Sequence, residues 1–251
     1  MLRIRAEQLE RLREARYDAF LKNFRSFLTA QLPDQVEMMG DDALDALTRL
    51  SFSRATALDL DTEREHLLFG VFSVLFGAFF DADPQYPWAI DRLTRPGLRS
   101  AQRIDLFRAR ADLAITEIEA SRHRIDPLGV LTWMDATTLA FGPVDASSPL
   151  IDWYSQLFPA HASWMRAKDL EALAQRARAL ASACNLLAPN GEKLVIAAMG
   201  MLGAGFADDP QFQPLAAVLS APMPSAEKTR AFADAGRKLA GQWLARDEAT
   251  N

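Results

Sequence analysis

The sequence resembles itself at a fixed distance, and this feature constrains the fold more than any other. Asp83-Pro84-Gln85 recurs as Asp209-Pro210-Gln211, an offset of 210 − 84 = 126 positions. From residue 33 to residue 107, read without a gap, roughly one position in five is identical to its counterpart. Other identical pairs are Pro33 and Pro159, Gly77 and Gly203, Ala78 and Ala204, and Phe80 and Phe206. The sequence therefore predicts a tandem duplication, in which one structural unit is encoded twice.

Each copy is predicted to be a bundle of four or five helices. Apolar residues fall at helical spacing over about Ile4–Gln31, and Pro33 ends this first helix. Thr62–Glu65 has the pattern of a capping box, which starts an apolar helix that we expect to run over Leu67–Phe80. Asp83-Pro84 is expected to start the next helix, because Asp favours the N-cap and Pro the first turn.

The expected fold class is all-α, with two tandem copies of a four-to-five-helix unit packed together. The sequence has no alternating apolar and polar run long enough to indicate a strand. We assign the first repeat to residues 1–124 and the second to residues 149–251. The stretch between them, residues 125–148, is rich in Pro, Gly, Ser and Asp but also contains Trp133, which predicts a linker that packs on the protein.

Charge and hydropathy exclude several classes of function. The net charge of −5 supplies no basic surface for a phosphate backbone, so we expect no nucleic acid. The longest apolar runs, 67–80 and 194–207, are about 14 residues long, whereas a membrane span needs about 20, so we expect no membrane insertion. The N-terminal residues lack the apolar region of a secretory signal, which predicts a cytoplasmic protein.

The sequence shows no pattern of catalytic or cofactor-binding residues. Gly200-Met-Leu-Gly203 lies inside a predicted helix with no preceding strand, which favours close helix packing over dinucleotide binding. His66, His123 and His161 stand at no metal-ligand spacing from one another or from Cys184. We therefore predict no cofactor, no metal site and no catalytic residue, and we do not expect an enzyme.

The most distinctive segment of the sequence is 81–89. Asp81 and Asp83 are paired acids that could ligate a metal or transfer protons, although helix capping explains them more simply. Tyr86 and Trp88 could anchor the loop on the core or form a binding hot spot. We select these four residues as candidate partner-binding residues. In the second copy Pro214 replaces Trp88, so a binding function there would be lost or changed.

Three motifs give the first copy a resemblance to a known group of proteins. They are Leu2-Arg-Ile-Arg-Ala-Glu-Gln8, Gly77 with Phe80-Asp81-x-Asp83-Pro84, and Pro87-Trp88-Ala89. Over about residues 1–110 the chain resembles small helical bacterial proteins that are encoded beside type VI secretion spike and effector genes. The resemblance implies a non-catalytic accessory protein that binds an effector, its loading chaperone or a spike protein.

Three hypotheses of function follow. The first is an adaptor or co-chaperone of a type VI secretion effector, whose helices present a face or groove to a partner helix. The second is an immunity protein that neutralises a toxin, which a strongly acidic patch would favour. The third is a small-molecule-binding helical protein, which a deep pocket lined by His66 and the acids near Asp81 would favour.

Overall fold

A computed structural model describes residues 6–122, 149–188 and 190–250. Within these ranges every helix-or-strand assignment is helical, so the all-α prediction is confirmed. The predicted packed linker, 125–148, lies outside the described residues. The repeat boundaries stay a prediction, and below we call residues 6–122 the first half and residues 149–250 the second half.

Six α-helices and one short 3₁₀-helix form the first half. They are α1 (Ala6–Gln31), α2 (Pro33–Met39), α3 (Asp41–Ala57), α4 (Glu63–Phe76), the 3₁₀ turn Phe80–Ala82, α5 (Pro87–Leu93) and α6 (Ser100–Arg122).

The second half has a similar order of elements, with one additional 3₁₀ turn. They are α7 (Leu150–Leu157), α8 (Pro159–Trp164), α9 (Ala167–Ala183), α10 (Asn190–Leu202), the 3₁₀ turns Phe206–Asp208 and Pro210–Phe212, α11 (Gln213–Ser220) and α12 (Ser225–Thr250).

The start of α4 is as predicted, but its end is not. The Thr62 side chain accepts a hydrogen bond from the backbone N–H of Glu65, and the Glu65 carboxylate accepts one from the backbone of Thr62, which completes the capping box. The helix ends at Phe76 and not at Phe80, because Gly77 turns the chain at φ 90° and ψ 150°, a conformation that glycine alone adopts readily.

The predicted helix start at Asp83-Pro84 is also wrong. The helix α5 begins at Pro87, which occupies its first turn. Asp83 has extended backbone, and its side chain accepts a hydrogen bond from the backbone N–H of Gln85, which closes a turn before the helix.

The last helices of the two halves correct the ungapped alignment. Ser100 begins α6 and Ser225 begins α12, so their offset is 225 − 100 = 125. The spacing from Leu219 to Ser225 is therefore one residue shorter than the spacing from Leu93 to Ser100. The side-chain contacts agree with this shift. Arg103 donates to the carbonyl oxygen of Leu93, and Lys228 donates to that of Leu219.

Three clusters of buried apolar side chains form the interior of the described part of the chain. One lies within residues 150–240 and includes the fully buried Trp153 and Tyr154. The other two lie within residues 24–78 and 55–114, and Trp164 of the second half packs against the latter. The two halves are therefore in apolar contact as well as joined by the hydrogen bonds described below.

Among the residues that the structure describes, no helix is long and apolar enough to cross a membrane.

Candidate functional site

Asp83 lies at the centre of the contact between the halves. Its Oδ2 accepts a hydrogen bond from the backbone N–H of Ala204 at 2.6 Å. Asp209 corresponds to Asp83 and Ala78 to Ala204 at the 126-residue offset, and they form the same bond in the opposite direction. Asp209 Oδ2 accepts a hydrogen bond from the backbone N–H of Ala78 at 2.6 Å. We call the residues that form this contact, within segments 73–85 and 199–211, the junction. The pairing is reciprocal, as a two-fold arrangement of a duplicated unit would require, although the duplication itself stays a prediction.

Two glutamine side chains add a second reciprocal pair of bonds. Gln85 Nε2 donates to the carbonyl oxygen of Met199 at 2.7 Å, and Gln211 Nε2 donates to that of Ser73 at 2.9 Å. Each amide also donates to the carboxylate two residues before it at 3.2 Å, as Gln85 does to Asp83. The acidic side chain and the glutamine of each half thus bind the other half as one unit.

Glycine at two equivalent positions lets the backbones approach at the junction. A Cβ on Gly77 would lie 2.6 Å from the carbonyl oxygen of Leu202, and one on Gly203 would lie 2.9 Å from that of Phe76. Both glycines have positive φ, 90° and 92°. Close packing was the predicted role of Gly203, but both residues provide it from the turn after a helix and not from inside one.

Burial shifts the charge equilibria of the junction acids. Loss of solvent raises the pKa of Asp83 to about 6, and the N–H groups of Ala204 and Gln85 oppose this rise. Burial raises the pKa of Asp209 as well, and hydrogen bonds from Ala78 of the facing half and from Gln211 oppose this rise. The junction therefore holds two carboxylates whose charge is unfavourable there, and their role is to accept hydrogen bonds across the contact.

Tyr86, the third candidate residue, lies beside the junction and is 5% exposed. Its hydroxyl is 3.4 Å from Nε2 of His161, while the Tyr154 hydroxyl donates to Gln85 Oε1 at 2.7 Å. Burial lowers the pKa of His161 to about 4, so this imidazole is neutral near pH 7. A buried neutral histidine beside an un-ionised tyrosine is suited to fixing helix α8 in place.

Trp88 packs inside the protein and is 7% exposed. Its ring lies 6.3 Å from that of Trp164, and the guanidinium of Arg110 lies over both rings, at 5.0 and 4.9 Å. Glu117 accepts a hydrogen bond from Nε1 of Trp164 at 2.6 Å. We call the ring cluster where α8 meets α6 the aromatic corner; its members are Tyr86, Trp88, His161 and Trp164.

Asp81, the fourth candidate, does not join the others. Its Oδ1 accepts two hydrogen bonds from Arg54, from Nε at 3.0 Å and from Nη2 at 2.7 Å. The same guanidinium lies 4.8 Å from the centre of the Phe79 ring. The structure thus brings Asp83, Tyr86 and Trp88 to the junction and its edge, and it places Asp81 in a separate ion pair. Partner binding by these four buried residues stays a prediction.

The sequence interpretation missed a groove that opens beside the junction. The groove has a volume of about 80 Å³ and is lined by apolar side chains together with Gln35 and Gln211. Six side chains form most of that lining, and we call it the methionine groove; they are Met38, Met39, Leu75, Met201, Phe212 and Leu239. Leu75, which lines the groove, is 42% exposed. The only sequence signal was the Met38-Met39 pair before Gly40, because the other methionine lies far along the chain.

The described residues contain no group of three or more His, Cys, Asp or Glu side chains that could hold a metal ion. His66, which a small-molecule site would have used, packs against the rings of Phe20 and Phe52 at 5.5 and 4.4 Å. Comparison of the chain with protein families, with curated proteins and with solved structures finds no match.

Proposed function

We propose that this chain is a non-catalytic accessory protein that binds another protein in the cytoplasm, as an adaptor or co-chaperone of a type VI secretion effector. The methionine groove is the observation that carries the proposal. Exposed apolar surface beside a rigid contact is typical of a protein-binding site, and methionine side chains adapt to partners of different shape.

The polar residues of the junction support a binding role over a catalytic one. The carboxylates of Asp83 and Asp209 are occupied by backbone N–H groups, and Asp81 is occupied by Arg54. A catalytic acid or base needs access to a substrate proton. Here the titratable side chains hold helices together, while the accessible surface beside them is apolar.

The resemblance of the first half to proteins encoded beside type VI secretion genes supplies the class of partner. An effector, its loading chaperone or a spike protein would present an apolar helix face to the groove. The proposal includes no nucleic acid and no membrane among the partners.

Co-expression with neighbouring secretion genes, followed by pull-down, tests the proposal. The tagged wild-type chain should recover an effector or spike protein, and Leu75→Glu should lose it, because a buried carboxylate in an apolar contact is costly. Leu113→Glu is the matched control: Leu113 is also an exposed helical leucine, 59% exposed, but lies outside the groove lining. Failure to recover a neighbouring gene product refutes the proposal, and survival of toxin-producing cells would assign an immunity role instead.

A further inference from the structure

We propose that the methionine groove binds an aromatic side chain of indole size, carried by the partner protein. This inference rests on the proposed function and specifies its chemistry. The groove is not an isolated feature: at the 126-residue offset, it corresponds to the aromatic corner. The two sites can therefore be compared position by position. The aromatic corner is the filled site, and it shows which side chains the methionine groove, the open site, lacks.

The aromatic corner is filled by rings from this chain. The Tyr86 ring lies 5.6 Å from His161 and 6.3 Å from Trp164, and Trp88 closes the cluster. Helix α8, which carries His161 and Trp164, packs against α6. Two indole rings and the guanidinium of Arg110 together occupy this space.

The methionine groove has smaller side chains at the same positions. Phe212 corresponds to Tyr86 and keeps the aromatic floor. Met38 corresponds to Trp164, since 164 − 126 = 38, and Pro214 corresponds to Trp88, since 88 + 126 = 214. At the 125-residue offset of the last helices, Ala235 corresponds to Arg110. Both indole rings and the guanidinium of the filled site thus have smaller counterparts, and of these positions Met38 lines the groove together with Phe212.

The lining of the groove favours an aromatic ring over an aliphatic side chain. Three methionines, Met38, Met39 and Met201, face the space, and thioether sulfur makes favourable contacts with ring edges. Gln35 lies exposed at the rim. Its side-chain carbonyl can accept an indole N–H, as Glu117 accepts the N–H of Trp164 in the filled site.

The groove is continuous with the contact between the halves. Gly77, Leu202 and Gln211 line the groove and also belong to the junction, where Gln211 donates to Ser73. The floor of the groove is therefore held by the reciprocal hydrogen bonds. A rigid floor lowers the ordering cost of binding a single ring, which suits a surface that recognises one anchor residue.

The test uses the full chain labelled with ¹³C at the methionine methyl groups, titrated with N-acetyl-tryptophanamide. Methyl signals of Met38, Met39 and Met201 should shift and saturate. The signals of Met165 and Met199, which are 8% and 0% exposed, should stay in place. N-acetyl-leucinamide should bind at least about tenfold more weakly, because it offers no ring to the sulfur atoms.

Two variants make the test specific to the groove. Met38→Trp places an indole at the position that corresponds to Trp164, and it should abolish the tryptophanamide shifts at Met39 and Met201. Met38→Leu keeps the volume of the side chain and should retain them with reduced affinity. An unchanged Met199 signal in both variants shows that the core is intact.

Several results would overturn the inference. They are equal binding of the leucine and tryptophan amides, shifts spread over the buried methionines, or no shift up to the solubility limit. Tighter binding of free, zwitterionic tryptophan would indicate a metabolite site and not a protein anchor. If N-acetyl-tryptophanamide fails to bind but Leu75→Glu still loses the partner protein, the proposed function stands and the aromatic anchor is refuted. If the amide binds but no partner protein is recovered, the proposed function is refuted and the binding site stands.

Discussion

Replacement of Gly77 by Ala tests the physical basis of the junction. The substitution has two effects that the structure separates. The first is backbone strain, because φ 90° and ψ 150° lie in a region that only glycine occupies without penalty; this costs about 1–3 kcal/mol. The second is steric, because the new Cβ would lie 2.6 Å from the carbonyl oxygen of Leu202 in the other half.

The steric effect reaches the hydrogen bonds beside it. Relief of the close contact requires the halves to move apart, and the adjacent Ala78 N–H then loses Asp209 Oδ2, now at 2.6 Å. A buried polar group left without its partner costs about 1–3 kcal/mol. We therefore expect Gly77→Ala to lower the free energy of unfolding by about 2–6 kcal/mol in total.

Gly40→Ala is the matched control. Gly40 has nearly the same backbone conformation, φ 79° and ψ 167°, but a Cβ there would meet nothing within 4 Å. It should show the strain alone. Urea unfolding followed by helical circular dichroism measures both variants. Equal destabilisation by the two substitutions would refute the steric reasoning. Gly203→Ala should resemble Gly77→Ala, and the double variant should fall short of additivity because both break one contact.

Three further predictions concern single side chains. Burial of Asp83 costs less free energy when its carboxyl group is protonated. The stability that this protonation contributes is fully present below pH 3.8, the ordinary pKa, and is lost as the pH rises through the folded-state pKa of about 6. The wild type should therefore gain about 2 kcal/mol relative to Asp83→Asn from pH 7.5 to pH 4, measured as the difference in their urea unfolding free energies; a pH-independent difference contradicts this. Arg54→Ala should destabilise the chain by about 2–4 kcal/mol because it leaves the Asp81 carboxylate buried and unpaired, and adding Asp81→Asn should restore part of the loss in a double-mutant cycle. Gly241→Ala, in a helix with open space around it, should raise the unfolding free energy by about 0.5–1 kcal/mol, and a decrease in the urea midpoint would count against it.

The sequence predicted elements whose causes are local. The capping box at Thr62 and Glu65 lies within four residues, so α4 starts where the sequence indicates. Its end was missed because the conformation of Gly77 depends on the facing half, which local spacing does not show. A capping role for Asp83 was expected because Asp-Pro is a frequent helix start, whereas its carboxylate binds Ala204, 121 positions away.

The candidate site was predictable only in part. Asp83 and Asp209, and Gly77 and Gly203, are identical at the 126-residue offset, and these residues form the reciprocal contact. The sequence showed that these residues are identical. It did not show which residues contact each other across the junction, because a repeat in the sequence does not give the relative orientation of the two halves. The groove lies where the sequence differs at the 126-residue offset, with Met38 at the position that corresponds to Trp164. Such a difference in side-chain size can be interpreted as an open site only after the structure shows which side chains fill the aromatic corner.

The long separation of the junction contacts has a consequence for biosynthesis. The Ala78 amide finds its acceptor 131 positions later in the chain. At about 5–20 residues per second, a ribosome needs on the order of ten seconds to deliver it. During that interval the side of the N-terminal portion that later faces the second half is uncovered, so the Ala78 amide has no protein acceptor there until synthesis is nearly complete.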